Sequence, residues 1–175
     1  ISIAAGKTTG YIEGFFEKPA RVCRIFPNLN ANVGAAVSAY TGGRYASADD
    51  AEFTGALAGS FGEAIALDEA DFSAFGVLGG CAPAYTFMYI DSLYRAGLAH
   101  GLPEDAASRA AVGVVLGSAK LISEMGGDLD EWVKKVCSPG GTTIEGVNSL
   151  RSDDLAEIIN RAFDKSYRRD LELSS

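Results

Sequence analysis

The chain has 175 residues, of which 47% are hydrophobic, and its formal net charge at pH 7 is −8. This length suits one domain or one and a half, with enough apolar residues to bury a core. The acidic balance argues against nucleic acid or an anionic membrane as a partner, because both bind basic surfaces. The single histidine, His100, excludes a metal centre made of several histidines, so we predict no metal site. The cysteines are far apart, which fits a reducing cytoplasm, and they are Cys23, Cys81 and Cys137.

Residues 1–68 alternate strand-like with helix-like segments, which predicts part of an α/β sheet. Four strands are predicted, over residues 1–5, 21–26, 35–40 and 63–67. A first helix is predicted to begin at Thr8 or Thr9 and to stop at Pro19, and a second begins at the capping-box sequence Ser47–Asp50. The chain opens in strand-like sequence without methionine or a signal peptide, as expected for a piece cut from a longer chain.

After residue 68 the pattern predicts helices only. The predicted helices cover 70–75, 82–100, 105–125, 128–137, a segment that begins at Thr142, and one that begins at Asp153 or Asp154. We therefore predict two domains, an α/β domain over 1–68 and a helical domain over 69–175.

The helix predicted over 105–125 is rich in small residues, with Gly113-x-x-x-Gly117 at its centre. Its most apolar part, 110–122, is short and contains Lys120, so we predict a buried helix and not a membrane span. Small residues let another backbone approach closely, which indicates tight helix packing. Because the helical domain has few strands to cover its apolar surface, we expect it to pack against a second copy in a homodimer.

The segment V-C-S-P-G-G-T-T-I-E-G over 136–146 carries the strongest functional signal. Ser138–Pro139 ends one helix, Gly140–Gly141 allows a tight bend, and Thr142–Thr143 opens the next helix. The free N–H groups of a helix start, together with these hydroxyl groups, can bind a small anion such as a carboxylate or a phosphate. Thr142 and Glu145 also form the pattern of a capping box, which would serve stability alone. Both interpretations fit the local pattern.

This segment resembles the signature V-x-S-P-G-G-T-T-I of pyrroline-5-carboxylate reductase, the family that makes proline from its cyclic imine. Further segments are similar to the family in the same order, I-S-I-A-A-G over 1–6, R-V-C-R-I-F-P-N over 21–28, G-E-A-I-A-L-D-E over 62–69 and G-C-A-P-A-Y over 80–85. The chain departs from the family at Leu29–Asn30, where Thr-Pro is usual, and at Ala82, where glycine is usual. The resemblance implies the C-terminal part of a Rossmann-type NAD(P)-binding domain, followed by an all-α dimerisation domain.

The resemblance also implies the reduction of Δ1-pyrroline-5-carboxylate to L-proline by hydride transfer from NADPH or NADH. The substrate carboxylate would bind backbone N–H groups and the Ser138 hydroxyl, with Thr143 as the catalytic residue beside the ring nitrogen. The implied substrate-binding residues are Ser138, Gly140, Gly141, Thr142 and Thr143. The implied cofactor-binding residues are Ala4, Ala5, Gly6, Pro27 and Asn28. An interlocked homodimer or a higher oligomer in the cytoplasm is expected.

The G-x-G-x-x-G turn that holds the cofactor pyrophosphate in such domains does not occur in the chain, so we expect the chain alone to be inactive. Two alternatives stay open. One is a related imine or 3-hydroxyacid dehydrogenase, although residues 85–100 lack the lysine that the hydroxyacid enzymes carry in their interdomain helix. The other is a helical dimerisation module without catalysis.

Overall fold

The computed structural model of the chain describes residues 1–174. Over these residues the three strands are β1 (Cys23–Phe26), β2 (Ala36–Gly42) and β3 (Gly62–Ala66). The eight α-helices of this part are α1 (Thr9–Glu13), α2 (Ala48–Gly59), α3 (Phe72–Phe75), α4 (Ala82–Ala99), α5 (Glu104–Met125), α6 (Leu129–Val136), α7 (Thr142–Ser152) and α8 (Leu155–Ser174). Two 3₁₀ turns and a π-helical segment lie between them, at Leu29–Val33, Glu69–Asp71 and Gly76–Cys81. The predicted change from mixed to helical structure after residue 68 is confirmed.

The chain groups into two compact units. The first consists of Ile1–Pro83 together with the part of α8 that begins at Ala162, and it contains the sheet. The second, Ala84–Arg161, contains most of α4, the helices α5 to α7 and the start of α8. The division into functional domains at residue 68 stays a prediction.

The sheet of the first unit has the order β1-β2-β3, with β1 antiparallel to β2 and β2 parallel to β3. Helix α2 connects the parallel pair, because parallel neighbours need a crossover connection. Ala39 on β2 is fully buried and forms the core of the unit with Phe72 and Phe75. The Phe75 ring meets the Phe26 ring edge to face, with the ring centroids 6.2 Å apart. This packing fixes the end of β1 against the segment that leads into α4.

The predicted start of α2 is confirmed. The Ser47 hydroxyl accepts a hydrogen bond from the Asp50 N–H at 3.2 Å, and the Asp50 carboxylate accepts one from the Ser47 N–H at 2.8 Å. These two bonds make a complete capping box. The backbone N–H and the hydroxyl of Ser47, assisted by the Arg21 guanidinium, lower the pKa of the Asp50 carboxyl. The carboxylate therefore stays charged at the positive end of α2.

The strand predicted over residues 1–5 is wrong in extent, because only Ser2 pairs, in parallel with Arg24 of β1. The Ser2 hydroxyl accepts a hydrogen bond from the Ala4 N–H at 3.1 Å, and Gly6 then adopts a left-handed φ of 67°. These features end the strand conformation after one bridge. The first helix also stops earlier than predicted, at Glu13 and not at Pro19, because Gly14 ends it.

The single chain does not provide the burial that was predicted for α5. Only Ala107 and Ala111 are buried on this helix, where α5 packs against α4 near Gly97. Large apolar side chains of α5 are exposed, namely Val112, Val114, Leu116, Leu121, Ile122 and Met125. A Cβ atom at Gly113 or Gly117 would meet no atom within 4 Å. Among the helices of residues 1–174, α5 alone has the length and composition of a membrane span.

Candidate active site

The turn between α6 and α7 is built by Ser138, Pro139, Gly140 and Gly141. The Gly141 N–H donates to the Ser138 carbonyl at 3.0 Å, and Gly140 has a φ of 68°. Proline in the second position and a glycine with positive φ in the third are what a type II turn requires. The order of residues in this segment therefore specifies its shape locally.

Gly141 places the Ser138 hydroxyl beside the first turn of α7. An added Cβ at Gly141 would lie 2.3 Å from the Ser138 Oγ, which is far inside van der Waals contact. Only glycine at this position lets the hydroxyl stay where it is. The turn thus brings a hydroxyl group to the same place as the helix start.

The start of α7 is open. The N-cap residue is Gly141, with no side-chain cap, so the first-turn N–H groups receive no side-chain acceptor. Thr142 is the first helical residue, and both Thr142 and Thr143 are exposed. Unpaired N–H groups at the positive end of a helix, next to hydroxyl groups, are the donors that bind a carboxylate or a phosphate.

The capping-box interpretation of Thr142 and Glu145 is wrong. A capping box needs threonine at the N-cap and glutamate at the third helical position. Here the N-cap is Gly141, which shifts both side chains one position into the helix. The other interpretation that the sequence left open, the anion site, stays a prediction.

The residues predicted beside the cofactor form two short segments at one end of β1. The Lys7 N–H donates to the Ala4 carbonyl at 3.4 Å across a turn that includes Gly6, and the side chains of Ala4 and Ala5 are exposed. Because Ser2 and Arg24 pair in parallel, this turn and the segment after β1 leave the sheet in the same direction. The predicted cofactor residues are thereby brought to the same edge of the sheet.

Pro27 and Asn28 line a cavity of about 470 Å³ in the first unit. The Asn28 Oδ1 accepts from the Asn30 N–H at 3.2 Å, and its Nδ2 donates to the Gly79 carbonyl at 2.9 Å. A side-chain amide has two donor hydrogens and two acceptor lone pairs, so Asn28 keeps one of each for a ligand. Other lining residues include Phe26, Gly80, Cys81 and Asp170.

A partly buried cluster beside this edge was not anticipated from the sequence. In this cluster the Glu69 carboxylate accepts a hydrogen bond from the Thr9 N–H of α1. It also accepts one from the Arg24 guanidinium of β1, where the Nη1 of Arg24 lies 3.1 Å from the Oε1 of Glu69. A signal was present in the sequence, since an arginine inside the apolar strand V-C-R-I-F must find a buried acceptor. The identity of that acceptor could not be read locally, because it lies 45 residues away in the chain.

The chain is similar to known proteins of one family. The family described as pyrroline-5-carboxylate reductase dimerisation matches residues 69–173. The pyrroline-5-carboxylate reductase of Aquifex aeolicus is 36% identical over 172 residues, which cover 96% of this chain and 65% of that protein. The solved structure of 1-pyrroline-5-carboxylate reductase from Streptococcus pyogenes has 31% identity and a TM-score of 0.90, covering 96% of this chain and 65% of its own.

A pyrroline carboxylate reductase from Plasmodium falciparum, solved with NADP bound, shares the fold with a TM-score of 0.91 at 22% identity, over 99% of this chain and 70% of its own. This chain therefore spans about two thirds of the length of the relatives that it matches, 65% in the case of the Aquifex protein.

Proposed function

This chain belongs to the pyrroline-5-carboxylate reductase family, and from that premise we propose that it serves the reduction of Δ1-pyrroline-5-carboxylate to L-proline with NADPH or NADH. The family membership confirms the resemblance inferred from the sequence. The observation that carries the proposed reaction is the open start of α7, where the turn places the Ser138 hydroxyl beside first-turn N–H groups that have no side-chain cap.

The substrate carboxylate accepts hydrogen bonds from the N–H groups of Thr142 and Thr143 and from the Ser138 hydroxyl. The Gly141 N–H closes the turn on the Ser138 carbonyl, and Gly141 contributes by leaving room for the hydroxyl. Gly140 contributes the left-handed turn that keeps this end of α7 accessible. The Thr143 hydroxyl holds the ring nitrogen of the imine and so orients its C=N carbon. The site works by positioning and by electrostatic stabilisation, and no nucleophile is needed.

The residues at the end of β1 suit the nicotinamide end of the cofactor. Ala4, Ala5 and Gly6 present methyl groups and bare backbone, so a flat ring can approach them closely. Pro27 and Asn28 border the adjacent cavity, where the asparagine offers one free donor and one free acceptor. When bound, the cofactor supplies hydride from the nicotinamide C4. Because these 175 residues contain no G-x-G-x-x-G turn, we expect no turnover by this chain alone.

We also propose that the protein forms a homodimer and acts in the cytoplasm. The match to a dimerisation family supports self-association, and the exposed apolar face of α5 offers the surface for it. All three cysteines are free, as expected in a reducing compartment. The absence of nucleic-acid and membrane partners stays a prediction.

The proposed role of Thr143 predicts a specific kinetic defect in the protein as its gene encodes it. We expect Thr143→Ala to lower kcat/KM for Δ1-pyrroline-5-carboxylate by roughly ten- to a hundred-fold, the loss of one or two good hydrogen bonds. The measurement is a steady-state assay that follows NADPH oxidation. Ser149→Ala, a hydroxyl removal two turns along α7, is the matched control and should leave the rate unchanged.

An unchanged kcat/KM in Thr143→Ala would remove this residue from the site. If the wild-type protein prefers another imine, or a substrate of the 3-hydroxyacid dehydrogenases, to Δ1-pyrroline-5-carboxylate, this would indicate the related dehydrogenase. A wild-type protein without reductase activity, but dimeric, would indicate the dimerisation module.

A further inference from the structure

We propose that Glu69 is a positioning residue for the cofactor: its carboxylate holds the turn that carries Ala4, Ala5 and Gly6 against the edge of the sheet. Glu69 acts in the cofactor site of the proposed reductase, so its role rests on that function. The hydrogen-bond partners of Glu69 are Thr9 and Arg24, and neither is a residue assigned to the substrate or to the cofactor. Its effect passes through Thr9 and Arg24.

The Glu69 carboxylate has partners on two different elements. Its two oxygens accept from the Thr9 N–H at 2.9 and 3.0 Å, and the Thr9 hydroxyl also donates to it. Arg24 of β1 donates to the same carboxylate at 3.1 Å. Thr9 and Arg24 are each only 5% exposed and the Glu69 side chain is 24% exposed, so these charge-assisted bonds are partly shielded from water.

Arg24 depends on Glu69 for the compensation of its charge. The guanidinium stacks over the Phe72 ring at 4.7 Å, and its buried Nε has no hydrogen-bond partner. Arg24 is also the residue that pairs with Ser2, so its position fixes the chain just before the Ala4 turn. Removing the carboxylate would leave a buried charge without an acceptor, which is a large local penalty.

Thr9 connects Glu69 to the turn that carries Ala4, Ala5 and Gly6, because Thr9 follows this turn in the chain and binds the carboxylate. Thr9 is the first residue of α1, a helix of five residues that is too short to be stable by itself. Glu69 places a negative charge at its N-terminus, which such a helix favours. The turn from Ala4 to Lys7 ends two residues before Thr9. The turn is therefore held at both sides, by Ser2 against β1 and by Thr9 against Glu69.

The test compares cofactor binding with substrate binding in the protein as its gene encodes it. NADPH fluorescence titration gives the Kd for the cofactor without turnover, and steady-state kinetics give KM for both reactants. Loss of the charge in Glu69→Gln should raise the Kd for NADPH about tenfold, and Thr9→Val should raise it about threefold, since it removes only the hydroxyl bond. KM for Δ1-pyrroline-5-carboxylate should change by less than about twofold, because the α7 site belongs to the other compact unit.

Glu52→Gln is the matched control. It makes the same charge change at an exposed position of α2 and should leave the Kd and both KM values unchanged.

A merely structural role for Glu69 would raise both KM values together or lower only the melting temperature, and either result overturns the proposal. If Glu69→Gln fails to fold, Thr9→Val decides, and an unaltered Kd for NADPH overturns it. A wild-type protein that binds NADPH but does not reduce the imine contradicts the proposed reaction alone, while the Kd values still test Glu69. A wild-type protein that binds no NADPH overturns both.

Discussion

At the scale of single residues, the site depends on the absence of one methyl group at Gly141. The Ser138 hydroxyl occupies the space that a Cβ would fill, at 2.3 Å from the added atom. Gly141 is also the N-cap of α7. The Ser138 donor of the proposed carboxylate site therefore depends on glycine at this position.

We predict that Gly141→Ala raises KM for Δ1-pyrroline-5-carboxylate about tenfold or more, because it displaces the Ser138 hydroxyl and so removes a charge-assisted hydrogen bond. KM for the cofactor should not change. The measurement is steady-state kinetics on the protein as its gene encodes it, with both reactants varied.

Gly146→Ala is the matched control, since a Cβ there would meet no atom within 4 Å. This change lies inside α7, where alanine is a better helix former than glycine, and it should add about 0.5–1 kcal/mol to the free energy of unfolding. If both variants keep the wild-type KM, then the Ser138 hydroxyl does not bind the substrate.

At the scale of elements, helix α5 has an apolar face that the single chain leaves exposed to solvent. Leu116 is 66% exposed and Val114 is 56% exposed, although both lie in the middle of a helix of 22 residues. The nearby Gly117 has open space where a packed helix would leave none. A large exposed apolar face is typical of an interaction surface, and the matched family is one of dimerisation.

We predict that Leu116→Glu disrupts the homodimer, because it places a charge in the apolar interface. The molar mass from size-exclusion chromatography with light scattering should fall to that of one chain. Val33→Glu makes the same change at a side chain that is 80% exposed on the first unit, and it should leave the mass unaltered. Wild-type mass for Leu116→Glu would place the interface elsewhere.

The elements that the sequence predicted well are those with a local signal. Ser47 and Asp50 are three residues apart and determine the start of α2 between themselves. Pro139 and Gly140 likewise determine the turn before α7. One wrong prediction also has a local cause. The pattern of Thr142 and Glu145 was shifted by one position from a true capping box, a difference that only the backbone conformation reveals.

Two further features could not be predicted for physical reasons. The apolar stretch of α5 indicates that the helix must be covered, and a second copy was expected because the helical domain has few strands, but the residues that the cover contacts could not be read from the sequence. The pairing of Arg24 with Glu69 joins positions 45 residues apart, and a single sequence contains no periodic pattern that links them. Both features depend on long-range packing, whereas helix caps and turns do not.

At the scale of the whole molecule, the residues assigned to the cofactor and those assigned to the substrate belong to different compact units. The first unit contains the segments assigned to the nicotinamide end of the cofactor, and the second contains the α6–α7 turn assigned to the substrate. The chain spans 65% of the length of its Aquifex relative, so the activity proposed here is that of the whole protein. Nothing in the proposed chemistry requires a charged nucleophile or a metal, because orientation and hydrogen bonding carry it.

The most direct test of the central claim is whether the start of α7 binds a carboxylate. We would measure the inhibition constants of L-proline and L-prolinamide against Δ1-pyrroline-5-carboxylate, since these compounds differ only in the carboxylate. L-Proline should inhibit at least about tenfold more strongly, because its carboxylate gains charge-assisted bonds to N–H and hydroxyl donors, and the difference should shrink in Gly141→Ala. Equal inhibition constants for the two compounds in the wild-type protein would contradict the account.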